Sequence, residues 1–294
     1  MKRFFTNIKQ FPSAIIGLVL VLFLVAISIY TVIAIPYDEA IREWRGGEEI
    51  RSAAPKNARP LYVNWFTTKK ISQTIELSTE NPDDNVEKIT EEITPEMFDT
   101  NITFEFDFPF DTFPREMHLI TTSNFEEKAP FLVLTWHTPD EREIKIGDVI
   151  VKATETYRFT DPKLIKSLNG TAANIGLFAI PDSTPKKVLQ GTYKLHIRAI
   201  TFEEDSQIEA RFVLFGEAHG IAGTDHRRRD LSLALLWGTP IALSFGLLAA
   251  LGTTFITMFI AAVGVWYGGW VDELIQRITE IQMVLPFLPI LIMV

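Results

Sequence analysis

Hydrophobic and polar positions divide the chain into three textures. Ser13 to Ile35 runs 23 residues without a charge, and Leu231 to Val271 runs 41; a helix needs roughly 20 residues to cross a hydrocarbon core about 30 Å thick. Between these runs the pattern is β. Asn101 to Phe108 (NITFEFDF) sets Ile102, Phe104, Phe106 and Phe108 against polar neighbours, the period of two that marks a half-buried strand. Pro130–His137, Ile144–Ala153, Thr192–Phe202 and Gln207–Gly216 read the same way. Glu203–Ser206 separates the last two with a length suited to a hairpin, so they are expected to pair antiparallel. Lys163–Leu168 reads as a short helix, and residues 80–100 are too acidic and Pro-broken to assign. Short strands with Pro, Gly and Asp turns predict an antiparallel β-sandwich of a size that one core can support.

The expected order is therefore a cytoplasmic N-terminus (1–12), a first transmembrane helix (13–35), a linker (36–60), an extracytoplasmic β-rich domain (61–220), an amphipathic interfacial helix (221–239), a second transmembrane helix (240–267), a cytoplasmic turn and helix start (268–280), and the beginning of a third membrane helix (281–294). The first apolar run exceeds the core of a signal peptide and ends in Ile35-Pro36-Tyr37 without a small-residue cleavage site, which favours an uncleaved helix. Lys2, Arg3 and Lys9 before it and Asp38 and Glu39 after it send the chain outward. Ile281 to Val294 is 14 residues, too few to span, so the chain is expected to continue beyond Val294.

Composition narrows the chemistry. The formal net charge is −9, and the acidity lies in the middle of the chain, which argues against a nucleic-acid surface. The absence of cysteine excludes disulfide scaffolds and thiolate metal sites. His118, His137, His196, His219 and His226 never fall at metal-ligand spacing. The triplets Asn101-Ile102-Thr103 and Asn169-Gly170-Thr171 match the glycan-acceptor pattern, and chance accounts for them as well. No nucleophile-elbow or paired-histidine motif supports a hydrolase.

The C-terminal run carries the most specific residues. Gly223-Thr224 predicts a turn and Asp225 a helix cap. Arg227, Arg228 and Arg229 are expected in the headgroup layer, against the positive-inside tendency. Pro240 is expected to break the helix. Gly246, Ala249, Ala250, Gly252, Ala261, Ala262 and Gly264 allow close helix packing. Trp266, Tyr267 and Trp270 form an aromatic belt, Gly268-Gly269 reverses the chain, and Asp272 and Glu273 occupy the first turn of the next helix. Arg277 and Glu280 keep that turn in water.

Taken together, KRFFTNI before an apolar helix, G-T-D-x-x-x-R-D-L, W-G-x-x-I-A-L-S-F-G and Y-G-G-W-V-D-E-L-I-Q-R-I-x-E-I-x-x-x-x-P resemble the second permease subunit of oligopeptide, dipeptide and nickel ABC importers, over about residues 1–37 and 221–294. The resemblance implies a membrane α-helical permease of the type I importer class, incomplete here, with the all-β sandwich-like domain inserted between its first two membrane helices. It implies a sister permease subunit, two ABC ATPase subunits, an extracytoplasmic solute-binding protein and membrane lipid as partners, with no cofactor, metal or nucleic acid. The positions that carry it are Gly223, Thr224, Asp225, Arg229, Asp230, Gly238, Gly268, Gly269, Trp270, Asp272 and Arg277, with structural and topological roles. Asp230 is a candidate partner for an arginine. Arg228 stands where the family usually has Gly, Pro240 where it has Arg, and the ATPase-docking E-A-A…G loop is absent from these residues. The implied function is passage of peptides or related solutes, driven by ATP hydrolysis in partner subunits and without covalent chemistry in this chain. The other reading is a membrane-anchored β-domain that binds or senses something outside the cell.

Overall fold

The computed structural model describes residues 12–47, 54–80, 85–94, 97–203 and 206–284. The expected cytoplasmic N-terminus, most of the expected third membrane helix, part of the linker and the centre of the Glu203–Ser206 turn lie outside these residues. The chain forms two compact units, Met1–Pro36 with Leu235–Val294, and Tyr37–Ala234.

In the first unit, α1 spans Pro12–Ala34. Two of its hydroxyls turn inward on the backbone, Ser28 Oγ donating to the Leu24 carbonyl and Thr31 Oγ1 to that of Ile27. That removes polar atoms from the helix surface. Helix α5 spans Leu231–Tyr267. Both are long and apolar enough to cross a membrane, with mean hydropathies of 2.9 and 2.0.

Pro240 does not break α5, contrary to the sequence expectation; it sits inside one continuous helix. A proline costs one backbone hydrogen bond there, but an apolar stretch offers its neighbours no better partner than the helix itself. The Thr239 hydroxyl donates to the Leu235 carbonyl and the Ser244 hydroxyl to that of Pro240, reinforcing the same turns. The expected amphipathic helix over 221–239 is likewise absent as such. Residues 221–230 form turns, and the helix starts at Leu231. Helix α6 covers Gly269–Val284.

The second unit is a two-sheet β-sandwich with nine strands among the described residues: β1 Ile75–Ser78, β2 Val86–Thr94, β3 Met97–Phe108, β4 Glu116–Ser123, β5 Phe131–His137, β6 Glu143–Ile150, β7 Thr154–Arg158, β8 Gly191–Thr201 and β9 Ile208–Phe215. One sheet has the order β1-β9-β4-β7 and the other β2-β3-β8-β5-β6, and all of these strand pairs are antiparallel. The expected β8–β9 hairpin is therefore corrected. Strand β8 lies between β3 and β5, while β9 lies between β1 and β4 in the opposite sheet. A short connection can switch sheets as well as reverse within one, and both strands carry a complete inward apolar face that needs a separate layer.

Alternation builds the core. Ile102, Phe104, Phe106 and Phe108 of β3, Leu132, Leu134 and Trp136 of β5, and Tyr193, Leu195 and Ile197 of β8 all point inward. Met117 and Leu119 of β4 and Phe212 and Leu214 of β9 meet them from the other sheet. Phe212 stands at the centre, its ring 5.8 Å from Phe106, 6.0 Å from Trp136, 6.0 Å from Phe159 and 6.3 Å from Phe104. Strand β2 is the contrary case. All its residues but the first are exposed, and it pairs along the edge of β3 through backbone bonds.

Two short helices, α3 (Pro162–Ser167) and α4 (Ala173–Gly176), follow β7, with Asp161 capping α3 by accepting from the Lys163 amide. The unit also takes in more chain than the expected 61–220. Tyr37–Arg45 is a helix, α2, with Asp38 and Glu39 in its first turn and Arg42 and Arg45 in its last. That charge order complements the helix dipole, and it replaces the structureless linker the composition suggested. A 3₁₀ turn follows at Leu61–Trp65.

Because Phe212 is fully buried among four aromatic rings, Phe212→Ala is expected to destabilise the sandwich by about 3–5 kcal/mol. Ile89→Ala, on the exposed edge strand, is expected to change little. Chemical denaturation of the full chain followed by tryptophan fluorescence checks both.

Candidate functional site

The segment 217–231 brings together Gly223, Thr224, Asp225, Arg229 and Asp230, five of the eleven sequence-predicted positions. It forms a tight loop closed by the bridge Thr224–Asp230, with the Asp225 amide donating to the Arg229 carbonyl and the Leu231 amide to that of Gly223. Against it lies the chain coming from α2. The Arg59 amide donates to Glu217 O (2.8 Å), the His219 amide to Arg59 O (2.9 Å), the Leu61 amide to Gly220 O (3.0 Å) and the Asn57 amide to Asp225 O (2.9 Å).

Thr224 is the centre of this clasp. It is buried; its amide donates to Ala58 O (3.1 Å), its hydroxyl accepts from the Ala58 amide (3.0 Å), and the same hydroxyl donates to Pro55 O (2.6 Å). Gly223 makes that approach possible. Its φ is +77°, and a Cβ there would lie 2.4 Å from the Ala58 carbonyl oxygen, so glycine is required both for the conformation and for the space.

Charges finish the clasp. Asp225 is not the cap of α5. Its carboxylate accepts from the Arg227 and Arg229 amides (2.8 and 2.9 Å) and from Arg229 Nε (2.7 Å). Burial pushes this carboxyl up, but the hydrogen bonds from Arg229 and Arg227 outweigh it and hold it below the usual carboxylate range. The Arg229 guanidinium also stacks 4.0 Å over the Trp44 ring of α2, a cation–π contact. Asp230 is the cap instead, accepting from the Ser232 amide (2.8 Å) and hydroxyl (2.7 Å). The arginine pairing suggested for Asp230 thus belongs to Asp225.

Arg228 departs furthest from expectation. It is only 5% exposed, so it does not face a headgroup layer. Its guanidinium donates to Ala54 O and to Glu116 Oε2, each at 2.6 Å, and lies 4.6 Å over the Phe215 ring. The β9 alternation breaks here. Val213 and Phe215 are buried together with Phe212 and Leu214, and the Arg228 guanidinium and the His118 ring lie against Phe215.

The other motif residues sit apart from the clasp, within the helical unit. Gly238 lies in α5 with open space at its Cβ position. Gly268 and Gly269 both have positive φ (58° and 52°) and join α5 to α6. Trp270 is exposed, Asp272 accepts from Gln276 Nε2 at 2.9 Å in the first turn of α6, and Arg277 lies 3.9 Å from Glu280 with both exposed.

Beside the clasp, on the outer face of the four-stranded sheet, is a cleft of about 460 Å³ lined among others by Lys56, Arg115, Glu116, His118, Arg158 and Arg228. His118 and Arg158 are direct cross-strand partners. Arg115 Nη1 donates to the carbonyls of Lys56 (2.7 Å) and Asn57 (3.0 Å). His118 Nε2 lies 3.5 Å from Glu116, and its ring meets Phe215 edge-on at 4.8 Å. Burial lowers the His118 pKa from 6.5 to about 4, with Glu116 pulling upward and Arg228, Arg158 and Lys56 pushing it further down. The imidazole is therefore neutral at neutral pH. Of the six lining positions named, only His118 and Arg228 could be singled out in the sequence, and nothing there connected them, because the six come from four separated stretches of chain without a shared motif.

With this geometry in view, the chain can be set against known proteins. No protein-family model matches it. It is 33% identical over 72 residues, 24% of its own length, to the peptidoglycan transport system permease protein YejE of Agrobacterium fabrum (strain C58 / ATCC 33970). The chain spans 19% of that relative's length. This partial similarity supports an ABC permease relationship at most, and with the two apolar helices it is consistent with a membrane location. Among solved structures, the carbohydrate-binding module TmCBM61 in complex with β-1,4-galactotriose matches 51% of this chain and 90% of its own at 12% identity and a TM-score of 0.21. Promiscuous carbohydrate-binding modules of the β-sandwich superfamily match 56% of this chain and 63% of their own, at 11% identity and a TM-score of 0.20. At those scores nothing about ligand follows.

Two outcomes follow from the geometry. Thr224→Val keeps the shape but orphans the Ala58 amide and the Pro55 carbonyl, and is expected to cost about 2–4 kcal/mol in a denaturant melt of the full chain; Thr224→Ser, which keeps the hydroxyl, is expected to lose much less. For His118 the folded pKa is depressed, so its contribution is complete above about pH 6.5, shrinks as pH falls, and is gone near pH 4. His196 and His219, lowered mainly by burial, add in the same direction. Thermal melts between pH 7 and pH 4 are expected to fall more steeply for the parent chain than for His118→Gln.

Proposed function

We propose that this chain is part of a permease subunit of an ABC importer for peptides or related solutes, forming half of a transmembrane pathway driven by ATP hydrolysis in partner subunits. The observation that carries this reading is the stretch shared with the Agrobacterium peptidoglycan-transport permease. Supporting it are two helices of membrane-crossing length and the double-glycine turn that leads from α5 into α6. The partners are a sister permease, two ABC ATPases and an extracytoplasmic solute-binding protein. The relative's name refers to peptidoglycan transport.

In this reading the chain performs no covalent chemistry, and the N-terminus and the Gly268–Glu280 turn face the cytoplasm while residues 36–239 lie outside. Basic residues before α1 and the acidic pair at the start of α2 support that orientation. The sandwich then stands on the side where a solute-binding protein delivers its cargo.

Disrupting the gene in its native host is expected to abolish uptake of a labelled peptide that the host imports by an ATP-dependent route, and restoring it in trans should recover uptake. Affinity purification of the tagged protein from solubilised membranes should also bring down an ABC ATPase. Undiminished uptake of every peptide tested, together with no ATPase in the purified material, would defeat the proposal.

A further inference from the structure

The cleft on the outer face of the four-stranded sheet has a composition that the transport reading does not use. Lys56, Arg115, Arg158 and Arg228 line it, with Glu116 as the one carboxylate among the lining residues. Glu116 is engaged by Arg228 at 2.6 Å, and Arg115 is bonded to neutral backbone carbonyls rather than to a carboxylate. Arg115 and Arg158 therefore leave the lining cationic, in a chain whose overall charge is −9.

The arrangement is built rather than incidental. Arg228 is held by three contacts, with Ala54, Glu116 and Phe215, and Arg115 by two carbonyls, so both guanidinium groups are fixed before any ligand arrives. Arg158 projects from β7 opposite His118, at the exposed side of the cleft. Met117, Ile120, Phe159 and Ile165 contribute an apolar lining beneath the charges, and Thr156, Thr160 and Asn174 add polar groups. A volume of about 460 Å³ is in the range of small-molecule sites.

We propose that this cleft binds a small ligand carrying a carboxylate or phosphate group on a short apolar body, the anion held by Arg158 with Arg115 and the body resting on Phe159 and Ile165. Planar guanidinium groups match the paired oxygens of either anion, and a pre-positioned cationic rim attracts them without reorganisation. The site is a property of the sandwich and stands whether or not the chain transports anything.

The test uses the full chain in detergent and isothermal titration calorimetry with tri-alanine, tri-alanine C-terminal amide and inorganic phosphate. Saturable binding of tri-alanine but not of its amide supports the site and assigns it a carboxylate; saturable binding of phosphate supports it and assigns a phosphoryl group. Arg158→Ala, an exposed substitution that leaves the clasp intact, is expected to weaken that binding on the order of tenfold or more. Lys152→Ala, an exposed cation that is not among the cleft's lining residues, should leave it unchanged. No saturable heat with either anion would overturn the proposal, as would amide binding as tight as the acid or affinity indifferent to Arg158→Ala.

Discussion

The incoming and outgoing segments of the sandwich unit are joined side by side, and Thr224 is the centre of that seam. Its hydroxyl and amide reach Pro55 and Ala58 across more than 160 residues of sequence. The hydrogen bonds of Asn57, Arg59 and Leu61 to residues 217–225 extend the seam on both sides. Buried backbone groups must find partners, and here each segment supplies those of the other. Gly223 lets the two backbones approach, Asp225 folds the loop on itself, and Arg229 reaches back to Trp44 of α2. Helix α5 starts directly from this seam, capped by Asp230.

The sandwich and the clasp shape each other. The inner faces of the sheets share an aromatic core centred on Phe212, while the outer side of β9 is also buried at Val213 and Phe215, where Arg228 lies over the Phe215 ring. Covering that face brings Lys56, Arg115 and Arg228 next to His118 and Arg158, and the cleft is the space left at the edge of the covering. The same arginine thus supports the fold and shapes the pocket. Its burial is tolerable because Glu116, a carbonyl and a ring face compensate the charge.

Legibility in the sequence followed the physics of each element. Strands β3, β5 and β8 could be read because one face is more deeply buried than the other, so side chains alternate, as they do in β9 up to Phe212. Strand β2 could not, since VEKITEEIT is exposed almost throughout and is held by backbone pairing with β3. Partnering escaped the pattern too. Alternation marks a face as buried without saying against which sheet, and β8 and β9 turned out to lie in different ones. Pro240 misled because the lost hydrogen bond and ring clash that break a helix in water are tolerated within a long apolar helix, where side-chain hydroxyls and local adjustment re-satisfy the backbone. The GTDHRRRD stretch was recognisable as a unit, yet the duties of Arg228 and Arg229 depend on Trp44, Ala54 and Glu116, which no local reading brings near. The cleft was invisible for the same reason: its charges are far apart in sequence and share no spacing.

The clasp is tested most directly by hydrogen–deuterium exchange of the full chain in a lipid nanodisc, following peptides that cover residues 54–61 and 217–231. The account predicts that the amides of Ala58, Leu61 and Thr224 exchange as slowly as those of the buried strands β8 and β9, since opening them requires the two segments to part. Exchange at the rate of an exposed loop, with the strands still protected, would contradict it.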